Sequence, residues 1–121
     1  MPRIELSLEE AMVLINGHEY GRAIAILEEE ASNESRSPLE RAGFCEWVAE
    51  CHRRLEDYRE AGEWYLEAIK RVFAQEIDLS VKAREALPLC QKALNYYKMG
   101  GDKVDVMEAA KLKQRLLELS R

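Results

Sequence analysis

The residues with the greatest chemical potential in this sequence are three cysteines and one adjacent histidine, namely Cys45, Cys51, His52 and Cys90. Thiolate and imidazole groups are common zinc ligands, and a cysteine next to a histidine can also supply a thiol nucleophile. The spacing favours neither use, because adjacent side chains point about 100° apart on a helix and no CxxC pair is present. We therefore expect reduced thiols packed in a core, with no metal and no cofactor.

Other catalytic arrangements are not found in the sequence either. Neither His18 nor His52 stands at a spacing that pairs it with a carboxylate and a nucleophile, and no glycine-rich loop opens a helix after a strand. We expect His52 to pack in place of an aromatic residue and His18 to lie solvated in a turn. The prediction is a protein that is not an enzyme, with a thiolate at Cys51 as the remaining enzymatic alternative.

Composition indicates a single globular domain covering residues 1–121. The chain is 47% apolar and 34% charged, which is too apolar for a disordered chain and long enough for one core. Its first residues, MPRIELSLEEAMVLI, carry acidic side chains where a signal peptide carries basic ones. No apolar run approaches the ~20 residues of a membrane span. We expect a cytoplasmic protein without a membrane partner.

Charge is unevenly distributed along the chain. Residues 1–76 carry 9 Lys or Arg against 17 Asp or Glu, a net −8, whereas residues 77–121 carry 9 against 6, a net +3. The acidic majority would repel a phosphate backbone, so no nucleic-acid partner is expected. The basic residues near the C-terminus could form a binding patch or simply a solvated helix face; they are Lys103, Lys111, Lys113 and Arg115.

Helix starts are marked by capping residues. An N-cap side chain is followed three residues later by an acidic residue that can bond back to the cap in three places: Ser7 with Glu10, Ser37 with Glu40, and Asp57 with Glu60. Asp102 follows two glycines and predicts a fourth start, and Ser80 is the predicted cap of the helix that contains Pro88. We expect that proline to kink its helix.

Apolar residues then recur with helical spacing through six segments. Residues 58–73 form an amphipathic helix, whereas residues 38–55 are apolar on two sides and so need neighbours on both. Residues 18–31 match residues 56–69 at an offset of 38, with Tyr20 on Tyr58. The prediction is an all-α solenoid of three antiparallel helix hairpins, about six helices, in units of approximately 5–31, 38–75 and 80–119.

The middle unit resembles the tetratricopeptide repeat, a helix-turn-helix unit of 34 residues. The matching positions within residues 42–73 are Val48, Ala49, His52, Tyr58, Ala61, Tyr65 and Ala68. The outer units match more weakly, and Cys45 and Phe73 depart from the family pattern. The resemblance implies a right-handed superhelix whose first helices line a concave groove for a peptide or helix of another protein. It therefore implies a protein-interaction module, such as an adaptor or a chaperone-like subunit.

Three strips of predicted exposed residues mark that groove. They are Glu9, Val13 and Asn16 on the first helix, Glu46, Glu50 and Arg53 on the third, and Gln91, Asn95 and Lys98 on the fifth. By the resemblance, Glu46 and Glu50 fall where relatives that clamp the C-terminal carboxylate of heat-shock chaperones carry Lys, Asn or Arg. The acidic strip predicts a basic partner instead, unless these side chains are merely solvated charges.

Self-association is the second functional hypothesis. Trp47, Trp64 and Leu66 flank the predicted apolar faces, and if exposed they could join two copies into a homodimer. For Trp64, burial within the fold is the favoured interpretation.

Overall fold

The computed structural model describes residues 3 to 121, with side chains from Ser7 onward. This part of the chain contains six α-helices joined by turns and loops, and no strand. The helices are α1 (Arg3–Asn16), α2 (Tyr20–Ala31), α3 (Pro38–Arg54), α4 (Tyr58–Phe73), α5 (Leu79–Gly100) and α6 (Lys103–Leu119). The all-α prediction is confirmed. None of the described helices is both long enough and apolar enough to cross a membrane.

Two predicted helix boundaries are confirmed together with their capping bonds. The Ser37 hydroxyl accepts a hydrogen bond from the Glu40 backbone N–H at 3.1 Å, and the Glu40 carboxylate accepts one from the Ser37 N–H, also at 3.1 Å. Asp102 likewise accepts from the Asp105 N–H at 3.1 Å. Gly101 ends α5 with a φ of 72°, a left-handed conformation that glycine adopts without steric penalty.

Three other predicted caps are wrong in detail. Helix α1 begins at Arg3, so Ser7 lies inside it and caps nothing. Helix α4 begins at Tyr58 as predicted, yet Asp57 makes no side-chain capping bond; its carboxylate lies 3.7 Å from Nδ1 of His52. Helix α5 begins at Leu79, one residue before the predicted cap Ser80. A short polar side chain favours a helix start but does not require one, because that side chain can bond to other neighbouring groups instead.

Consecutive helices pack against one another along the whole described chain, from α1 with α2 to α5 with α6. Short connectors at residues 17–19, 55–57 and 101–102 turn the chain back after α1, α3 and α5. Fully buried alanines lie at the seams, among them Ala49, Ala61 and Ala68. Small residues at these positions let the helix axes approach closely.

Helices α4 and α5 approach each other closely at Gly62. A Cβ added at Gly62 would lie 2.8 Å from Cε1 of Tyr97, and Tyr97 is itself buried. Packing therefore favours glycine at this position, since a side chain would force the buried Tyr97 ring or the helices themselves to shift.

Smaller expectations about single residues have mixed outcomes. His18 is exposed in a turn with a φ of 60°, as predicted, and its Nδ1 lies 2.8 Å from the Tyr20 hydroxyl. Pro88 lies inside α5. All three cysteines are free and buried, as expected of packed thiols. Trp64 and Leu66 are partly buried against the core, so neither is fully exposed. Trp47 remains 39% exposed.

Candidate functional site

Two adjoining cavities open beside α3 and together form what we call the trough. The first has a volume of about 190 Å³ and lies between α1 and α3, lined by Leu8, Glu40, Gly43, Phe44 and Trp47. The second has a volume of about 280 Å³ and is lined by Gly43, Glu46, Trp47, Glu50, Tyr65 and Lys92. Gly43 and Trp47 line both cavities, so the two lie side by side and share these residues. The trough therefore runs from α1 across α3 to α5.

Glu50 holds the wall of the second cavity together. Its Oε2 accepts a hydrogen bond from the Tyr65 hydroxyl at 2.6 Å and one from the Tyr96 hydroxyl at 3.2 Å, while Oε1 accepts from Nε of Arg53 at 3.1 Å. Burial alone would raise the pKa of Glu50, but the bonds from Tyr65, Arg53 and Tyr96 hold that pKa below its ordinary value. One carboxylate thus ties α3 to both α4 and α5.

Aromatic rings and one lysine complete the second cavity. Tyr65 and Tyr96 are stacked with ring centroids 5.7 Å apart and an interplanar angle of 17°. Nζ of Lys92 lies 5.5 Å from the centroid of the Tyr65 ring, within the range of a cation–π interaction. The hydrogen bond to Glu50 and burial raise the pKa of Tyr65, with burial the larger cause. Both tyrosines therefore stay neutral donors at physiological pH.

Glu46 differs from Glu50 although both line the same cavity. Within the described residues, no hydrogen bond or ion pair within 4 Å reaches the Glu46 carboxylate. Burial raises the pKa of Glu46, the Lys92 ammonium lowers it, and the nearby Glu50 charge raises it further. The result is a partly desolvated carboxylate that faces a cavity and has no bonded partner within the described residues.

The predicted site residues fall into two groups in the structure. Glu46 and Glu50 line the trough, and Arg53 is bonded to Glu50. All three are half-buried, whereas the sequence predicted them to be exposed, because α4 and α5 supply neighbours on that side. The predicted strip of α1, made up of Glu9, Val13 and Asn16, is exposed and lines neither cavity.

The predicted strip of α5 also lies away from the trough. Gln91 and Asn95 bond to each other at 2.8 Å, and Lys98 lines a separate cavity together with α6. The residues of α5 that reach the second cavity and its wall are instead Lys92 and Tyr96. Spacing could have suggested them, since they stand four residues apart and so share a face.

The cysteines and His52 do not assemble a reactive centre. Burial raises the pKa of the Cys45 and Cys90 thiols to about 11 each, and it also raises the pKa of Cys51. A thiol with a raised pKa is a poor nucleophile at neutral pH. In the described part of the chain no group of three His, Cys, Asp or Glu residues is arranged to hold a metal ion.

Comparison with known proteins leaves the family unidentified. No protein-family model matches the chain, and comparison with curated proteins and with solved structures gave no match.

Proposed function

We propose that this chain is a non-enzymatic protein-interaction module, an adaptor or chaperone-like subunit. In this proposal its three helix pairs stack as a right-handed, tetratricopeptide-like solenoid. Packing between consecutive helices supports the stacking, because a solenoid is built from contacts between neighbours along the chain. The trough then holds an extended peptide or a helix from another protein.

The observation that carries the proposal is that the two cavities lie side by side along α3 and share Gly43 and Trp47. A peptide needs a surface that extends over several residues, and Gly43 and Trp47 connect an apolar cavity beside α1 to a polar, acidic one beside α5. Trp47, at 39% exposure, stands between them. Tryptophan is among the side chains enriched at the energetic centres of protein interfaces.

The buried, weakly nucleophilic thiols favour this function over catalysis. The acidic lining of the second cavity favours a partner that carries basic residues, since charge complementarity raises both association rate and specificity. For the same reason we do not expect a peptide with an acidic C-terminus to bind, and a synthetic peptide ending in EEVD tests that expectation.

A glycine in the floor of the trough provides the sharpest test. A Cβ at Gly43 would meet nothing within 4 Å, so Gly43→Gln should fill the trough without disturbing the fold. The matched control is Gly21→Gln in α2, where a Cβ also meets nothing within 4 Å. Gly43 lies inside α3 and Gly21 in the first turn of α2, so the gain in helix propensity is larger for Gly43→Gln.

We expect peptides selected from a random display library to bind the wild-type protein and Gly21→Gln equally. Gly43→Gln should weaken the binding of these peptides at least about tenfold, which corresponds to a loss of ~1.4 kcal/mol in binding free energy. Fluorescence anisotropy with labelled peptides measures the dissociation constants, and circular dichroism melts check that both variants fold. Equal binding to both variants, or a library that yields no binder, would contradict the proposal.

A second candidate function is self-association through the end of the molecule formed by α5 and α6. Met99, Val104 and Met107 are 57%, 69% and 58% exposed, and Met107 lines an apolar cavity of about 490 Å³. Exposed apolar side chains in one region often mark an interface. Sedimentation velocity at increasing concentration, with Met107→Lys as the variant, distinguishes a dimer from a monomer.

A further inference from the structure

We infer that the second cavity of the trough is a recognition site for a single basic side chain, a lysine or arginine of the partner, and that Lys92 competes for it from within the chain. This inference rests on the proposed function, because it names what one part of the trough recognises. The receiving groups are Glu46, Glu50 and Trp47, and Tyr65 is part of the buried wall of the cavity.

The chemistry of the lining favours a cation with an apolar stem. Trp47, which is 39% exposed, offers aromatic surface on which the methylene groups of a lysine or the plane of a guanidinium can pack, whereas Tyr65 is fully buried in the cavity wall. Glu46 and Glu50 supply negative charge in the same cavity. Its volume of about 280 Å³ far exceeds the space needed for one water molecule, so a side chain can enter.

The two carboxylates have different roles. Glu50 already accepts hydrogen bonds from Tyr65, Tyr96 and Arg53, so it provides charge but little free acceptor capacity. Glu46 has no bonded partner within the described part of the chain, and both of its oxygens can accept. Both Glu46 oxygens remain accessible to solvent, and an incoming ammonium or guanidinium would replace water there with a charge-assisted hydrogen bond.

Lys92 shows that the cavity accommodates a positive charge. Its ammonium lies over the face of Tyr65 at 5.5 Å and lowers the pKa of Glu46, yet it stands beyond 4 Å from either carboxylate. The Lys92 side chain is exposed, so it can swing into solvent when a partner's side chain enters. Its own charge repels that incoming cation, so its removal should strengthen binding.

The test uses small probes so that it does not depend on peptide binding. The probe is lysine blocked at both ends, as Nα-acetyl-lysine N-methylamide, titrated into ¹⁵N-labelled protein and followed by NMR. The matched probe is blocked norleucine, which has the same stem without the ammonium, and blocked arginine is the third arm. We expect shifts at the Glu46 and Trp47 amides with lysine or arginine, at roughly millimolar affinity, and none with norleucine.

Variants then separate recognition from general attraction to an acidic surface. Glu46→Gln should weaken binding of the lysine probe about 3- to 10-fold, and Lys92→Met should strengthen it by a similar factor. Glu9→Gln removes an exposed carboxylate that lines neither cavity and should have no effect. Equal shifts with norleucine would overturn the inference, as would weaker binding by Lys92→Met or shifts confined to other faces.

The outcome distinguishes this inference from the proposed function. If Gly43→Gln abolishes the binding of display peptides while Glu46→Gln and Lys92→Met leave that binding unchanged, the trough binds peptides but the second cavity does not recognise a basic side chain. If the lysine probe binds at Glu46 but no peptide binds in the trough, the basic-side-chain site stands and the proposed peptide-binding function is wrong.

Discussion

Glu50→Gln is the substitution that tests most sharply how α3, α4 and α5 are held together. Glutamine keeps the shape of the side chain and one acceptor oxygen but loses the charge. The hydrogen bond most affected is the one from the buried Tyr65 hydroxyl, which at 2.6 Å is short and charge-assisted. The bond from Tyr96 is longer, at 3.2 Å, and the pair with Arg53 is about one-third exposed to solvent.

The expected loss follows from the change in bond type. A hydrogen bond to a charged group contributes about 1.5–3 kcal/mol and a neutral one about 0.5–1.5 kcal/mol, so converting the Tyr65 bond loses ~1 kcal/mol. The partly exposed pair with Arg53 adds at most ~1 kcal/mol, because water screens it. We therefore expect Glu50→Gln to lower the free energy of unfolding by about 1–2 kcal/mol, or the melting temperature by roughly 3–10 °C.

The pH dependence of stability tests the role of Glu50 independently. The folded-state pKa of Glu50 lies below its ordinary value, so its contribution is fully present above the unfolded pKa of about 4.3. It is lost as the pH falls through the folded-state pKa. The difference in stability between the wild-type protein and Glu50→Gln should thus be constant near pH 7 and shrink below about pH 4.

Urea unfolding followed by circular dichroism at a series of pH values measures both effects. The control is Glu19→Gln, which breaks an exposed pair with Arg22 at 2.9 Å and should cost less than about 0.5 kcal/mol. A Glu50→Gln protein as stable as this control would refute the role assigned to Glu50. So would a stability difference that grows as the pH falls.

Three further predictions concern packing, capping and reactivity. Gly62→Ala should destabilise the fold by about 1–3 kcal/mol in urea unfolding, because its Cβ would collide with Tyr97. Helix propensity alone would make this variant more stable, so a gain in stability would show that α4 and α5 are packed less closely. Ser37→Ala should cost about 1 kcal/mol in the same assay through loss of the α3 capping bond, and no change would mean that the bond contributes nothing. Cys45 and Cys90 should react with a disulfide reagent at pH 8 only as fast as the fold opens, whereas rapid labelling of either in the folded protein would contradict their raised pKa values.

The features that the sequence predicts correctly are those encoded within a few residues. Ser37, Pro38 and Glu40 fix the start of α3 because their bonds join positions three residues apart. Gly101 and Asp102 fix the junction of α5 and α6 in the same way. The same type of pattern at Ser7 was misleading, since a helix continues through a capping residue when the preceding residues are also helical.

The details of the trough depend on contacts between residues far apart in the chain. Glu50 bonds to tyrosines 15 and 46 residues away, and no local pattern indicates such partners. The side of α5 that faces α3 depends on how that helix is rotated when residues such as Ala93 and Tyr97 enter the core. Periodicity gives the faces of a helix but does not say which neighbour each face meets, and so Lys92 was not among the predicted site residues.

The most direct test of the account is an NMR shift map of the wild-type protein with one peptide selected by display. If the trough binds the partner, the largest amide shifts will follow its lining from Leu8 through Gly43 and Trp47 to Glu46. Shifts confined to the α5–α6 end, around Met99, Val104 and Met107, would contradict it.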